Sequence, residues 1–254
     1  MDESGDMREQ RERQFWDEHV PSVAECLAEY RAGPDRQTRA LLDALEPLEG
    51  MRVLDFACGS GLTSAWLADR GATVTAIDLS PASVARGAEF CAEAGAEVAF
   101  VAGPLETQAQ LGTFDRIVGR FALHHVDVAT VGPLLAAHLR PGGKASFLET
   151  MDTNPVLRWS RRHLVGRFGI PRFGTLDEHP LTAKDLAQLQ DAFGELELRV
   201  PMMTFLRIFD RQIMRHRSRN TSRALGAIDD LLNRLHLGAW SYHQLVVLTR
   251  ADAQ

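Results

Sequence analysis

The segment Val53-Leu54-Asp55-Phe56-Ala57-Cys58-Gly59-Ser60-Gly61 constrains this chain more than any other. Residues 51–56 form a short apolar run suited to a strand buried on both faces, and it runs straight into a turn of small residues. A helix is predicted over 62–70, halted at Gly71, and a second strand over 72–77, ending in Asp78. Ser80 is a suitable N-cap and Pro81 a suitable first residue for a helix that reaches about Ala94 and stops at Gly95. Strands over 97–101, 114–119 and 144–150, with a helix over 131–139 ended by Pro141-Gly142-Gly143, continue the alternation. Strand–helix alternation of this kind predicts a parallel sheet covered on both faces.

Ligands of such sheets bind outside the carboxyl ends of the strands, where Gly59 and Gly61 let the backbone approach without a β-carbon in the way. Asp78, about twenty residues on, is placed to accept hydrogen bonds from ribose hydroxyls. Two ligands compete. A dinucleotide turn reads G-x-G-x-x-G, but Ser64 stands where the third glycine belongs. Asp55 lies four residues before the first glycine; its carboxylate repels a pyrophosphate and suits a cationic ligand with an amino group. That balance points to S-adenosylmethionine.

DFACGSG resembles the D/E-x-G-x-G-x-G motif of class I S-adenosylmethionine-dependent methyltransferases, with Ala57 in place of the first glycine. AIDLSPASVARG, FDRIVGRFALHHV and LRPGGKASFLE resemble the family's later segments in the expected order, over roughly residues 50–150. The resemblance implies a seven-stranded, mostly parallel Rossmann-like sheet, with an N-terminal helical cap and a helical insertion before the last strand. It implies that Asp55 orients the amino group of the methionine moiety and that Ala57, Cys58, Gly59 and Gly61 line it. Asp78 would hold the ribose, Leu79 would pack on the adenine, and Arg120 and Phe121 would lie at the sulfonium edge. Pro104 stands where the family usually has an aspartate for the adenine amino group, so Leu105 (through its N–H) and Glu106 are the candidates there. The branch most resembled contains ubiquinone, menaquinone and natural-product methyltransferases acting on O, N or C of small molecules.

Methyl transfer from a sulfonium is an in-line displacement, and a base is needed only where the acceptor must lose a proton. His124, His125 and Glu149 are the candidates, with Asp152 nearby; either imidazole can instead pack and cap its loop. Glu149 would face the acceptor or pair with an arginine of the insertion that follows. Trp16, His19 and Tyr30 belong to N-terminal helices that fold over the cofactor in many relatives, so a lid role stands beside plain packing. No metal site is expected: the acids and asparagine of a catechol-type centre are lacking, and the three cysteines show no C-x-x-C spacing.

The expected organisation is a helical cap over 1–47, a cofactor-binding core over 48–153 and an insertion over 154–180. Residues 181–254 complete the core, with a helical insertion at about 202–238. In the first insertion Asn154-Pro155 reads as a turn. A helix from Leu181-Thr182 through Ala192, with Thr182 and Asp185 forming a capping box, and a strand over 195–200 follow. Two helices parted near Arg219-Asn220-Thr221 and a last strand over 241–249 complete the chain. Arg158, Arg161, Arg162, Arg167 and Arg172 form one basic stretch. Arg207, Arg211 and Arg215 are spaced for one helical face, either solvated or a rim for an anionic acceptor.

Composition narrows the classes. A net charge of −6 disfavours a general nucleic-acid or membrane binder. The charged N-terminus lacks a signal-peptide core, and no apolar run approaches the ~20 residues of a membrane span. A cytoplasmic monomer or homodimer acting on a small-molecule acceptor is expected, without DNA or membrane insertion. An RNA or protein methyltransferase, a nicotinamide oxidoreductase and a non-catalytic S-adenosylmethionine-binding protein are the alternatives.

Overall fold

Side chains of a strand alternate between the two faces of its sheet, so consecutive apolar residues demand cover on both sides. The computed structural model, which describes residues 3–167, 179–214 and 218–252, meets that demand with helices on each face. In chain order the core elements are β1 (Arg52–Phe56), α4 (Leu62–Ala68), β2 (Thr73–Asp78), α5 (Pro81–Ala94), β3 (Val98–Ala102), β4 (Phe114–Arg120), α6 (Val128–His138) and β5 (Leu139–Thr150). Preceding them are α1 (Glu3–Glu18), α2 (Val23–Ala32) and α3 (Arg36–Asp43). After them come α7 (Pro155–His163), α8 (Ala183–Phe193), β6 (Gly194–Arg199), α9 (Leu206–Phe209), α10 (Arg219–Arg234) and β7 (His243–Arg250).

The sheet has seven strands in the order β3-β2-β1-β4-β5-β7-β6. β7 pairs antiparallel with both β5 and β6, and the remaining pairs are parallel. Strand order reverses between β1 and β4, which makes the carboxyl ends of those strands the natural binding crevice. On one face Leu54, Ile77, Ile117 and Phe147 pack against Leu135 of α6 and Leu189 and Phe193 of α8. On the other, Val53, Val74 and Val118 pack against Leu41 and Leu42 of α3, Trp66 of α4 and Phe90 of α5.

The caps fall where small polar side chains precede apolar periodicity. Ser22 with Glu25, and Thr182 with Asp185, form capping boxes, while Asp35 and Ser80 each accept an N–H three residues on. Two elements differ from their expectation. Asn154-Pro155 is no mere turn: the Asn154 side chain accepts the N–H groups of Val156 and Leu157 and starts α7. β5 begins at Leu139 rather than Lys144, because its register with β4 shifts between Phe114 and Arg116 and absorbs the Pro141-Gly142-Gly143 segment. The expected parting of two helices near Arg219 falls at the start of α10, whose cap is Ser218.

The first insertion is closed at its base. Met151 bridges to Leu181, with the Asp152 N–H donating to the Leu181 carbonyl and the Leu181 N–H to that of Thr150. Residues 168–178, including Arg172, and 215–217, including Arg215, lie outside the described residues. Arg207 does not share a solvated row with Arg211. It turns to α10, 3.0 Å from Asp230 and 3.7 Å from Asp229. Among the described residues no helix is long and apolar enough to cross a membrane.

Candidate active site

The carboxyl ends of β1, β2, β4 and β5 open into one cleft of about 1790 Å³. Leaving β1, the chain enters the left-handed region at Ala57 (φ 56) and again at Gly59 (φ 52) and Gly61 (φ 79). Leaving β4 it does so at Phe121 (φ 60), whose N–H donates to the Leu148 carbonyl at 2.8 Å. Non-glycine residues pay for this conformation, and the two that do so here, Ala57 and Phe121, lie at the ends of paired strands and both line the cleft.

Asp55, Ala57, Cys58 and Gly59 line the cleft, but Gly61 does not. A β-carbon on Gly61 would sit 2.9 Å from the Phe100 ring, and one on Gly87 would sit 2.7 Å from the same ring. Gly61 thus serves the close packing of turn, α5 and β3. No atom lies within 4 Å of a β-carbon on Gly59, which is the residue that leaves space open on the cleft side.

Two carboxylates flank this turn. Asp55 is 1% exposed, and its carboxylate accepts the Ser64 hydroxyl at 2.6 Å. Burial pushes its pKa up to about 7, against the opposing pull of the Ser64 bond and the Arg120 charge. Asp78 accepts the Gly59 N–H at 2.8 Å and the Ser80 N–H at 2.9 Å, so it fixes the turn as well as facing the cleft. Burial raises its pKa too, while those two N–H groups hold it down. Burial beside these acids keeps the Cys58 thiol protonated.

Leu79, Leu105 and Glu106 all reach the cleft, Leu105 buried and Glu106 exposed. Arg120 and Phe121 line it as well; Arg120 leans on the N-terminal helices, 3.8 Å from Glu29 and 3.5 Å from the Thr38 hydroxyl.

The catalytic candidates separate. Glu149 is completely buried and neither faces the cleft nor pairs with an arginine of the insertion. Its Oε1 accepts the N–H groups of Ala122 and Leu123, each at 2.7 Å, and its Oε2 lies 2.8 Å from Nδ1 of His124. A strand end that would otherwise deliver a charge to the ligand delivers a clamp for the loop after β4, because that loop has N–H groups to satisfy. A carboxylate only accepts, so Nδ1 carries the proton and Nε2 is the basic atom of a neutral His124. His124 lines the cleft beside His125, with ring centres 4.1 Å apart.

His125 is held differently, its Nδ1 3.1 Å from Oε2 of Glu12 on α1. The same oxygen accepts Nε1–H of Trp16 at 3.2 Å, and the Trp16 ring meets the His125 ring edge-on. Trp16 and His19 line the cleft, so α1 forms part of its wall. Asp17 ties down the same helix by accepting the Ser80 hydroxyl and the Ala82 N–H. Tyr30 does not join them. Its hydroxyl donates to the Asp69 carboxylate and its ring packs on Phe90, away from the cleft.

Sequence reasoning missed Glu12, Ser64, Tyr242 and His243. Glu12 and Trp16 have i, i+4 spacing that was available as a signal, whereas the 39-residue-distant or longer pairings are made only by the fold. Tyr242 and His243 close the cleft at the start of β7; burial, helped by the charges of Arg211 and His124, lowers the His243 pKa to about 4 and keeps it neutral.

The sheet order with an antiparallel seventh strand, and the acid-flanked turn at the reversal of that order, define the Rossmann-like class I methyltransferase fold. Residues 53–143 match the family model described as a methyltransferase domain.

Among curated proteins, the chain is 41% identical over 115 residues to a ubiquinone biosynthesis O-methyltransferase of Xanthomonas axonopodis, covering 44% of this chain and 47% of the relative. It is 35% identical over 161 residues to the same-named enzyme of Rhizobium leguminosarum, covering 58% and 63%. The matches thus span about half to under two thirds of those relatives' length. Among solved structures, magnesium protoporphyrin IX methyltransferase from Synechocystis with bound S-adenosylmethionine superposes with a TM-score of 0.56 at 14% identity, over 96% of this chain and 97% of that one. The 4+2 cyclase SpnF superposes with a TM-score of 0.58 at 17% identity, over 95% of each chain. These likenesses establish the fold.

Proposed function

We propose that this chain is an S-adenosylmethionine-dependent methyltransferase acting on a small organic acceptor. The names of its curated relatives favour oxygen as the methylated atom. The observation that carries the reading is the pair of carboxylates flanking the β1 turn, Asp55 buried and Asp78 half-buried at the end of β2. Asp55 is desolvated enough to raise its pKa to about 7, a cost that a bound ammonium group would relieve. Each oxygen of Asp78 has only one protein N–H partner among the described residues, which leaves acceptor capacity for two ribose hydroxyls. A pyrophosphate would meet two acids there.

When bound, S-adenosylmethionine supplies an electrophilic methyl group on a sulfonium. Asp55 would hold the amino group of that ligand, Asp78 its ribose, and Leu79, Leu105 and Glu106 its adenine side. Gly59 leaves the approach clear. His124, held through Nδ1 by Glu149, would present Nε2 to take the proton of an acceptor hydroxyl. α1, latched through Glu12 and Asp17, would exclude water from the reacting end.

Calorimetry separates this reading from a nicotinamide enzyme. S-adenosylhomocysteine is expected to bind, and NAD not to. A screen of phenolic and other hydroxyl acceptors for S-adenosylhomocysteine release then tests turnover. Binding of NAD in preference to S-adenosylhomocysteine would overturn the assignment.

A further inference from the structure

The cleft is divided by charge. Its half next to the β1 turn carries Asp55 and Asp78, with Arg120 as the cation acting on Asp55, whereas the half formed by α7, the π-helical stretch 210–214 after α9 and the start of β7 is lined by Arg158, Arg161, Arg162 and Arg211. Two carboxylates act on that second half: Asp152, which Arg158 neutralises at 2.9 Å, and Asp35 at the start of α3, whose charge partly opposes the lowering of the His243 pKa. Arg161, Arg162 and Arg211 have no carboxylate partner among the described residues.

Arg161 is also pre-positioned. It donates to the Tyr242 hydroxyl at 2.6 Å, and its guanidinium carbon lies 5.2 Å from the Tyr242 ring centre. The rest of its donor fork has no partner among the described residues, and such a fork matches the two oxygens of a carboxylate. From Tyr242 a line of rings leads inward, with centres 5.0 Å apart from Tyr242 to His243 and 5.0 Å from His243 to Phe121, the residue beside His124. Burial keeps His243 neutral, so the line between the cationic end and His124 is apolar in character.

We propose that this half of the cleft is a carboxylate subsite. The methyl acceptor is then an organic acid with a flat apolar or aromatic body: its carboxylate is held by Arg161 and Arg211, and its body lies along Tyr242, His243 and Phe121. The identification of this ligand as an acceptor rests on the methyltransferase reading; the subsite itself does not.

The test is binding of benzoate, 3-phenylpropanoate and 5-phenylpentanoate against their uncharged primary amides. It is measured by ligand-observed NMR on the full chain, before and after S-adenosylhomocysteine is added. At least one acid is expected to bind about tenfold more tightly than its amide, by the strength of a charge-assisted bidentate contact. Arg211→Gln and Arg161→Gln are each expected to bring that ratio close to one while leaving the amide affinity unchanged. A weakened amide as well would indicate lost packing and count against the proposal. Equal binding of acids and amides, no acid binding at millimolar concentration, or a preference surviving both substitutions would overturn it. So would an arginine-dependent preference for phenyl phosphate over every acid, which reassigns the subsite to phosphate. S-adenosylhomocysteine titrated into the same samples keeps the two readings apart. A carboxylate preference without nucleoside binding sinks the methyltransferase reading and leaves the subsite standing.

Discussion

The Glu149 carboxylate stands 2.8 Å from Nδ1 of His124 with no exposed surface of its own. One buried acid therefore sets both the tautomer of the imidazole and the course of the loop that carries it, through the N–H groups of Ala122 and Leu123. Glu149→Ala strands three donors and is expected to cost roughly 3 kcal/mol or more in urea unfolding. Glu149→Gln keeps an acceptor oxygen for the loop, so its stability loss should be the smaller. Its kcat and the pH profile of kcat should change while KM for S-adenosylmethionine stays near the parent value. Equal stability of all three proteins would contradict the clamp.

His124→Gln tests the base itself. With an acceptor of ordinary phenolic acidity, kcat is expected to fall by about 10²–10⁴. Binding of S-adenosylhomocysteine should be untouched. A parent-like kcat would remove His124 from proton transfer.

Asp55 gives the protein a pH dependence whose sign is fixed. Unfolded, the group titrates near 3.9; folded, burial raises it to about 7. Between those values the folded state holds the extra proton, so the contribution of Asp55 to stability falls as pH rises from about 4 to about 7. Asp55→Asn should flatten that part of the urea-midpoint profile. In the same window, S-adenosylmethionine binding should release a proton from Asp55, seen as a dependence of the calorimetric heat on the buffer's ionisation enthalpy. A flat parent profile would show that Asp55 ionises as it does in water.

Asp78→Ala removes the proposed ribose acceptor and also frees the Gly59 and Ser80 N–H groups. Affinity for S-adenosylhomocysteine is expected to drop by about 1–3 kcal/mol. An unchanged dissociation constant would take Asp78 out of the site.

Two glycines of one turn should respond differently. Gly61→Ala forces a β-carbon within 2.9 Å of Phe100 at φ 79 and is expected to lower stability by about 1–3 kcal/mol. Gly59→Ala meets no atom within 4 Å, so its main effect should be on ligand affinity, with only about 1 kcal/mol of backbone strain. Thermal midpoints and calorimetry on the two variants separate these outcomes.

The local order of elements was legible in the sequence because local rules govern it. Apolar runs such as Val53-Leu54 specify buried strands, Ser80-Pro81 and Thr182 with Asp185 specify helix starts, and Gly59 to Gly61 specify the turn. Asp55 and Asp78 were legible as candidates for the same reason, since both lie at fixed offsets from that turn, and both line the cleft.

Tertiary structure alone decided which long-range pairs form. Glu149 looked like a residue facing the ligand, but strand pairing buries it beneath the loop after β4, whose N–H groups have no water there and must find an acceptor. Tyr30 looked like a lid residue, but the packing of α2 turns it to Asp69 and Phe90. Glu12 gained its role by meeting His125 across 113 positions of chain, and Arg161 by meeting Tyr242 across 81. Periodicity reaches only a few residues along a chain, whereas burial is settled by what arrives from far away. For that reason the end of the cleft beside the β1 turn was readable from its motif, and the end beside α7 and β7 became readable only once those elements had been folded together.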